Sequence, residues 1–199
     1  MSKIAIDVVL LPDQKMIDQA IKLNRALLKK YQNKIILGNV VNMPHISLCM
    51  GAVNEIELPD VIKSIDKISD HFTRMDFEGK PSIQHRKGHE DIVWLEIEKN
   101  DNIQNLQEMV MKNLWNYLSY DIEKYMFADP HEIEDTTVSY VKYYSSFYDN
   151  PALFKPHITL GVGSVTDHKK YRFSSSELAI FKLGNHCTCR ELIYRTNLN

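Results

Sequence analysis

Residues 44–48 read Pro-His-Ile-Ser-Leu and residues 156–160 read Pro-His-Ile-Thr-Leu. Glycine follows each copy shortly afterwards, at Gly51 in the first and at Gly161 and Gly163 in the second. Side chains on a strand alternate between faces. As strands, the two stretches bury Ile46 with Leu48 and Ile158 with Leu160. They present His45 with Ser47, and His157 with Thr159, to the opposite side. A single His-apolar-hydroxyl-apolar stretch arises by chance in roughly one chain of this size in ten, but two copies, each preceded by Pro, in fewer than about one in a thousand. The plainer reading, two satisfied histidines on buried strands, does not account for the duplication.

Working outward, residues 4–11 form a short apolar run ended by Pro12, the pattern of a strand. Residues 13–31 place Met16, Ile17, Ala20, Ile21, Leu27, Leu28 and Tyr31 at helical spacing behind Asp13. Pro59 opens a second helix, where its missing N–H leaves no helical bond unmade. Residues 74–84 and 91–98 read as a hairpin. Residues 102–118 read as a third helix, capped by Asp101 or Asn102. Residues 121–153 are irregular, with a helix near 136–147. The second His strand, at 157–163, is followed by strands at 173–183 and 186–195, with Gly184-Asn185 as a two-residue turn.

Strand, helix and His strand therefore occur twice, at 4–50 and at 91–163, and the longer second copy carries an insertion within 121–153. The layout predicts an α+β fold of 1–199 as a single domain. Two antiparallel sheets would line a central cleft, with helices outside and the His strands facing one another. No Gly/Ser- or Pro-rich linker separates the halves, so they should pack rigidly.

Composition bounds the function. The 199 residues are 44% hydrophobic and 25% charged, which supports a sizeable core. With 24 Lys+Arg against 26 Asp+Glu, the net charge of −2 argues against tracking a long nucleic acid by charge alone. Three cysteines, Cys49, Cys187 and Cys189, cannot all pair within the chain, which suits a reducing compartment. The first residues carry no long apolar run, and no stretch reaches the length of a membrane span. The expectation is a cytoplasmic monomer with no membrane partner.

Two imidazoles across a groove suit concerted acid–base chemistry near neutral pH, one taking a proton while the other gives one. The hydroxyls of Ser47 and Thr159 can donate to oxygens on which charge grows. Neither motif holds an obvious nucleophile, and no carboxylate cluster adjoins either, a set that fits phosphodiester cleavage better than peptide hydrolysis.

The paired motifs resemble the signature of the two-histidine phosphoesterase superfamily, which includes the 2′-5′ RNA ligases and the 2′,3′-cyclic nucleotide phosphodiesterases. The resemblance spans most of the chain, from Leu10-Leu11-Pro12 through both motifs to the closing hairpin. It implies a bilobal α+β fold, metal-independent catalysis with no cofactor, and a small nucleotide or RNA end with a 2′,3′-cyclic phosphate or 2′-5′ linkage as substrate. Residue by residue, it implies His45 and His157 as catalytic and Ser47 and Thr159 as phosphate-binding. The alternative is a non-catalytic nucleotide- or RNA-end-binding domain using the same cleft. Gly161-Val162-Gly163-Ser164 stands after Leu160, where RNA-processing members often carry Arg. A small cyclic phosphate, or another cation from Lys155, Arg86 or Lys87, is then expected.

Three further features have plainer readings. His85-Arg86-Lys87-Gly88-His89 reads as a solvated turn rather than a metal loop. His186-Cys187-Thr188-Cys189 reads as buried structural cysteines rather than a zinc site. The aromatic cluster of Tyr140, Tyr143, Tyr144, Phe147 and Tyr148 reads as packing of the insertion onto the body, with base stacking as the functional alternative.

Overall fold

The first strand, β1 (Lys3–Pro12), is buried at every residue after Lys3. A strand apolar on both faces belongs inside a sheet, and β1 lies antiparallel between β2 (Ile46–Asn54) and β6 (Tyr171–Leu183). The computed structural model describes residues 2–199 except 32, 33, 87, 89, 167 and 168. Its sheet continues from β6 through β3 (Met75–Gln84) and β4 (Ile92–Ile97) to β5 (His157–Val162), with β7 (Cys189–Asn197) also on β6. Every pairing is antiparallel.

The fold is α+β, as expected, but the described strands form one sheet of seven instead of two sheets. The reason is the length of β6. Its 13 residues pair with β3 through Tyr171–Ser175 and with β7 through Glu177–Leu183, so one strand serves both halves. The sheet curls until β2 and β5, the strands at the two ends of its main path, touch.

The helices follow their sequence signals. Asp13 caps α1 (Gln14–Leu28) by accepting from Met16 N at 2.9 Å. Pro59 lies in the first turn of α2 (Leu58–Ser69). The cap of α3 (Asp101–Leu114) is Asn100, one residue ahead of the expected pair, accepting from Ile103 N at 3.1 Å. The insertion holds α4 (Asp135–Tyr143) and α5 (Ser146–Asp149). Tyr144 and Phe147 are buried there, and Tyr148 stacks on Trp115 with ring centroids 3.8 Å apart. Tyr144, Phe147 and Tyr148 thus pack the insertion onto the body, while Tyr140 and Tyr143 are exposed. The expected turn at Gly184-Asn185 is longer: a 3-10 turn spans Asn185–Cys187, with His186 and Cys187 at positive φ, before β7 begins.

The segments β1–α1–β2 and β4–α3–β5, here the N-terminal and C-terminal units, are built alike. In each, the two strands pair directly, with one extra residue bulged out of the His strand just beyond the hydroxyl. Leu48 is the extra residue between Ser47 and Cys49, and Leu160 between Thr159 and Gly161. Each helix packs on the other unit's His strand, α1 on β5 and α3 on β2. A glycine six residues past each His permits that crossing. A Cβ on Gly51 would stand 2.8 Å from the Leu118 side chain, just after α3. A Cβ on Gly163 would collide with the Tyr31 ring, just after α1, and Gly163 has φ +127° besides. Among the described residues no helix is long and apolar enough to cross a membrane.

Candidate active site

The bulge decides what faces the cleft. Past it the alternation shifts by one, so His45, Ser47 and Met50 share a face, as do His157, Thr159 and Val162. All six line one cavity of about 700 Å³, within the range of nucleotide-sized pockets. All four residues expected from the sequence are therefore brought together. Ile92 and Trp94 of β4 extend the floor, and Glu134, Thr136, Thr137 and Tyr140 of the insertion form part of the wall.

The two imidazoles are held in one way. His45 Nδ1 lies 2.7 Å from Met43 O, and His157 Nδ1 lies 2.8 Å from Lys155 O. A carbonyl can only accept, so Nδ1 carries the hydrogen in both rings. Nε2 is left as the lone-pair nitrogen of each neutral ring. Burial pushes the pKa of His45 down to about 4, against the help of the Met43 carbonyl, and the neighbouring His157 lowers it further. Burial lowers His157 as well.

Around these rings the units differ. Ser47 Oγ donates to Asp7 Oδ2 at 2.7 Å, and the same oxygen lies 3.7 Å from His45 Nε2. Asp7 comes from the middle of β1 and is wholly buried, with Oδ1 lacking any hydrogen-bond partner. Burial raises its pKa well above the ordinary carboxyl value, the Ser47 bond opposing. On the other side, the His157 ring lies against Trp94, with centroids 4.4 Å apart. Among the described residues, the Thr159 hydroxyl makes no hydrogen bond. No carboxylate cluster was expected beside the motifs, and the N-terminal unit has a single buried carboxyl that the sequence reading did not place. The signal was legible, since Asp7 is the one charged residue inside the apolar run of β1.

Asn24 was also passed over. It occupies the buried stripe of α1 and is wholly buried. Its amide donates to Leu160 O and to Ile35 O, both at 2.8 Å, and its carbonyl accepts from Leu37 N at 3.1 Å. One side chain thereby satisfies the bulged residue of the second motif and ties it to the chain leading into the first.

Of the cations considered, Arg86 lines the cavity, with its guanidinium 3.1 Å from Glu90 O. Lys155 contributes its carbonyl to His157, and its side chain is not among the lining groups. Lys87 lies outside the described residues, as does His89, so only part of the expected turn can be placed. In it His85 Nδ1 lies 2.9 Å from Asp91 Oδ2. Lys34, which the sequence did not single out, also lines the cavity and pairs with Glu134 at 2.8 Å.

The three thiols are unpaired. Cys49 and Cys189 are buried, and Cys187 reaches the cavity wall beside His186. Asp7, His45 and Cys189 bring an oxygen, a nitrogen and a sulfur within 4.8 Å of one another. That donor set suits a divalent metal in type. Asp7 Oδ2 is already occupied by Ser47.

No family model matches the sequence, and no curated protein matches it. Solved structures do. TT0787 of Thermus thermophilus superposes with a TM-score of 0.65 at 12% identity, over 98% of each chain. LigT of E. coli, complexed with 3′-AMP, gives a TM-score of 0.58 at 11% identity over 100% of this chain and 99% of that one. The LigT complex with NADP+ gives 0.54 at 14% identity over the same shares. At such identities the likeness establishes the fold: this chain has the LigT-like α+β architecture from end to end.

Proposed function

We propose that the chain is a phosphodiesterase of the two-histidine kind, one domain of two repeated units, acting on 2′,3′-cyclic phosphate or 2′-5′ bonds of nucleotides or RNA ends. The observation that carries this reading is the pair of Nε2 atoms. Both belong to rings pinned through Nδ1 by a carbonyl two residues back, and both rings line one nucleotide-sized cavity. In the proposed reaction one ring takes a proton from water as the oxygen attacks phosphorus. The other gives a proton to the departing sugar oxygen, and no step requires a metal. Each role is worth about two to four powers of ten in rate. Thr159, whose hydroxyl is free, donates to a non-bridging oxygen as charge develops. Arg86 and Lys34 at the cavity wall supply positive charge for the rest of the substrate. That LigT has been solved with 3′-AMP accords with a nucleotide in this cleft. Three unpaired thiols accord with a reducing, cytoplasmic setting.

One observation favours the reading as a binding domain. Burial lowers both imidazoles, so at neutral pH neither ring by itself keeps a proton to donate. The deciding assay uses 2′,3′-cyclic mononucleotides and 2′-5′-linked dinucleotides with EDTA present. Turnover is expected, and His45→Ala or His157→Ala should each lower kcat by at least about a hundredfold. Tight binding without turnover would establish the binding domain. Activity that returned only with added metal would refute the two-imidazole mechanism.

A further inference from the structure

Acid–base catalysis needs one proton already loaded on one side of the cleft, and the two units are unequal in their means of holding it. Met50 and Val162 stand at matching places, five residues past each His. Their cross-strand partners are Asp7 and Ile92. The N-terminal unit therefore carries a carboxyl group where the C-terminal unit carries a hydrocarbon. This carboxyl is wholly buried, hydrogen-bonded to Ser47 at 2.7 Å and 3.7 Å from His45 Nε2. The last distance is about half an ångström beyond hydrogen-bond range, a gap that one side-chain adjustment closes.

We propose that Asp7 is a positioning residue that, with His45, holds one shared proton in the N-terminal unit, making His45 the general acid and leaving His157 as the base. The proposal rests on the phosphodiesterase reading. The surroundings of Asp7 require such a partner. From β2 and the residue before it Asp7 faces Cys49 and Ser47 with His45, from β7 and the turn before it Cys189 and Cys187, and from α4 and the residue after it Tyr140 and Tyr144. None of the thiols or phenols can carry positive charge, and the Asp7 charge makes each of them harder to ionise. Among the described residues His45 is the one basic group within 4.0 Å. An ionised carboxylate here without a proton or cation beside it would be strongly disfavoured. One proton per pair satisfies it, either as carboxylic acid beside neutral imidazole or as carboxylate beside imidazolium.

The proton balance is simple. A proton passes from Asp7 Oδ2 to His45 Nε2, giving imidazolium and carboxylate with no change in net charge. His45 Nε2–H then protonates the departing oxygen while His157 Nε2 takes one proton from the attacking water. Exchange with solvent unloads His157 and reloads the pair. This supplies the acid that the two lowered imidazoles lack on their own. It also gives Ser47 a structural part, since its hydrogen is committed to Asp7 and not to the phosphate.

The test does not need a substrate. Histidine 15N and aspartate carboxyl 13C spectra of the wild-type chain are recorded at pH 7.5 with EDTA. Either a doubly protonated His45 ring or one protonated aspartate carboxyl is expected. A neutral His45 together with ionised carboxylates throughout overturns the proposal. In Asp7→Asn, kcat on a cyclic mononucleotide should fall about ten- to a hundredfold with KM within about threefold, and the alkaline limb of kcat should move down by at least about one pH unit. An unchanged kcat and limb overturn it as well. If the variant fails to fold, the wild-type spectra decide. If no substrate is turned over, the activity reading fails, while the spectra still judge the proton pair.

Discussion

His45 and His157 occupy matching places in two units with the same strand order, the same bulge and the same crossing glycine, yet their surroundings are opposite in character. His45 stands beside a buried carboxyl group that also binds Ser47. His157 lies against the Trp94 ring, and among the described residues the Thr159 hydroxyl makes no hydrogen bond. The backbone repeat delivers two equivalent imidazoles, and side chains on the neighbouring strands make them unequal. Two identical imidazoles in one buried cleft would titrate alike, whereas concerted acid–base catalysis needs one loaded and one empty. The asymmetry lies on β1 and β4, not in the motifs.

The largest expected effect on stability comes from removing the tie between the units. Asn24→Leu would remove the bond to Ile35 and strand the carbonyl of Leu160 and the amide of Leu37 in the core. Each orphaned group is worth roughly 1–3 kcal/mol, so a loss of about 2 kcal/mol or more is expected in urea unfolding. A loss under about 1 kcal/mol would mean that the second motif does not depend on α1 for its position.

Next in size is the pH dependence. The folded pKa of His45, about 4, lies below its ordinary 6.5, so its contribution is present above pH 6.5 and lost as pH falls toward 4. Asp7 has the opposite sign. Its pKa is raised on folding, so its contribution is present below the unfolded value of 3.8 and lost as pH rises toward the folded value. Where both groups titrate, the two slopes have opposite signs and offset one another. Asp7→Asn leaves only the histidine slope. The variant should therefore lose stability more steeply than wild type as pH falls from 6.5 toward 4, by up to about 1.4 kcal/mol per pH unit. Parallel pH–stability curves for the two proteins would show that the carboxyl and the imidazole do not titrate as described.

The smallest effect compares the two hydroxyls. Thr159→Val should lower kcat about tenfold or more, because on the proposed reading a donor to the phosphate is lost. Ser47→Ala should lower it less than about fivefold, because the Ser47 hydrogen is already given to Asp7. Equal losses in steady-state kinetics would restore the symmetric picture in which both hydroxyls bind phosphate.

Much of the site was legible because strand alternation and a repeated five-residue stretch are local properties. His45, Ser47, His157 and Thr159 needed only their own neighbours in sequence to be placed on one face. The helices, the capping role of Asp13 and the position of Pro59 follow from equally local rules. What escaped depends on residues distant in sequence. Asp7 is 40 residues from Ser47, and Asn24 is 136 from Leu160. Both broke an apolar pattern, which marked them as unusual without saying what they meet. The two expected sheets became one because β6 pairs along its length with β1, β3 and β7, and strand pairing is not written in any single strand's periodicity.

The sequence by itself determined the α+β class, the repeated order of elements and the four groups presented toward a cleft. These rest on the period of side chains along a strand or helix, which is set by covalent geometry and sterics. Only the tertiary structure decided that the sheet is continuous, that its edges meet, and that each unit's helix supports the other's motif. It alone set a buried carboxyl beside one histidine and an indole against the other. Those choices depend on the register between strands and on desolvation in a shared interior, quantities that exist only once the chain has closed on itself.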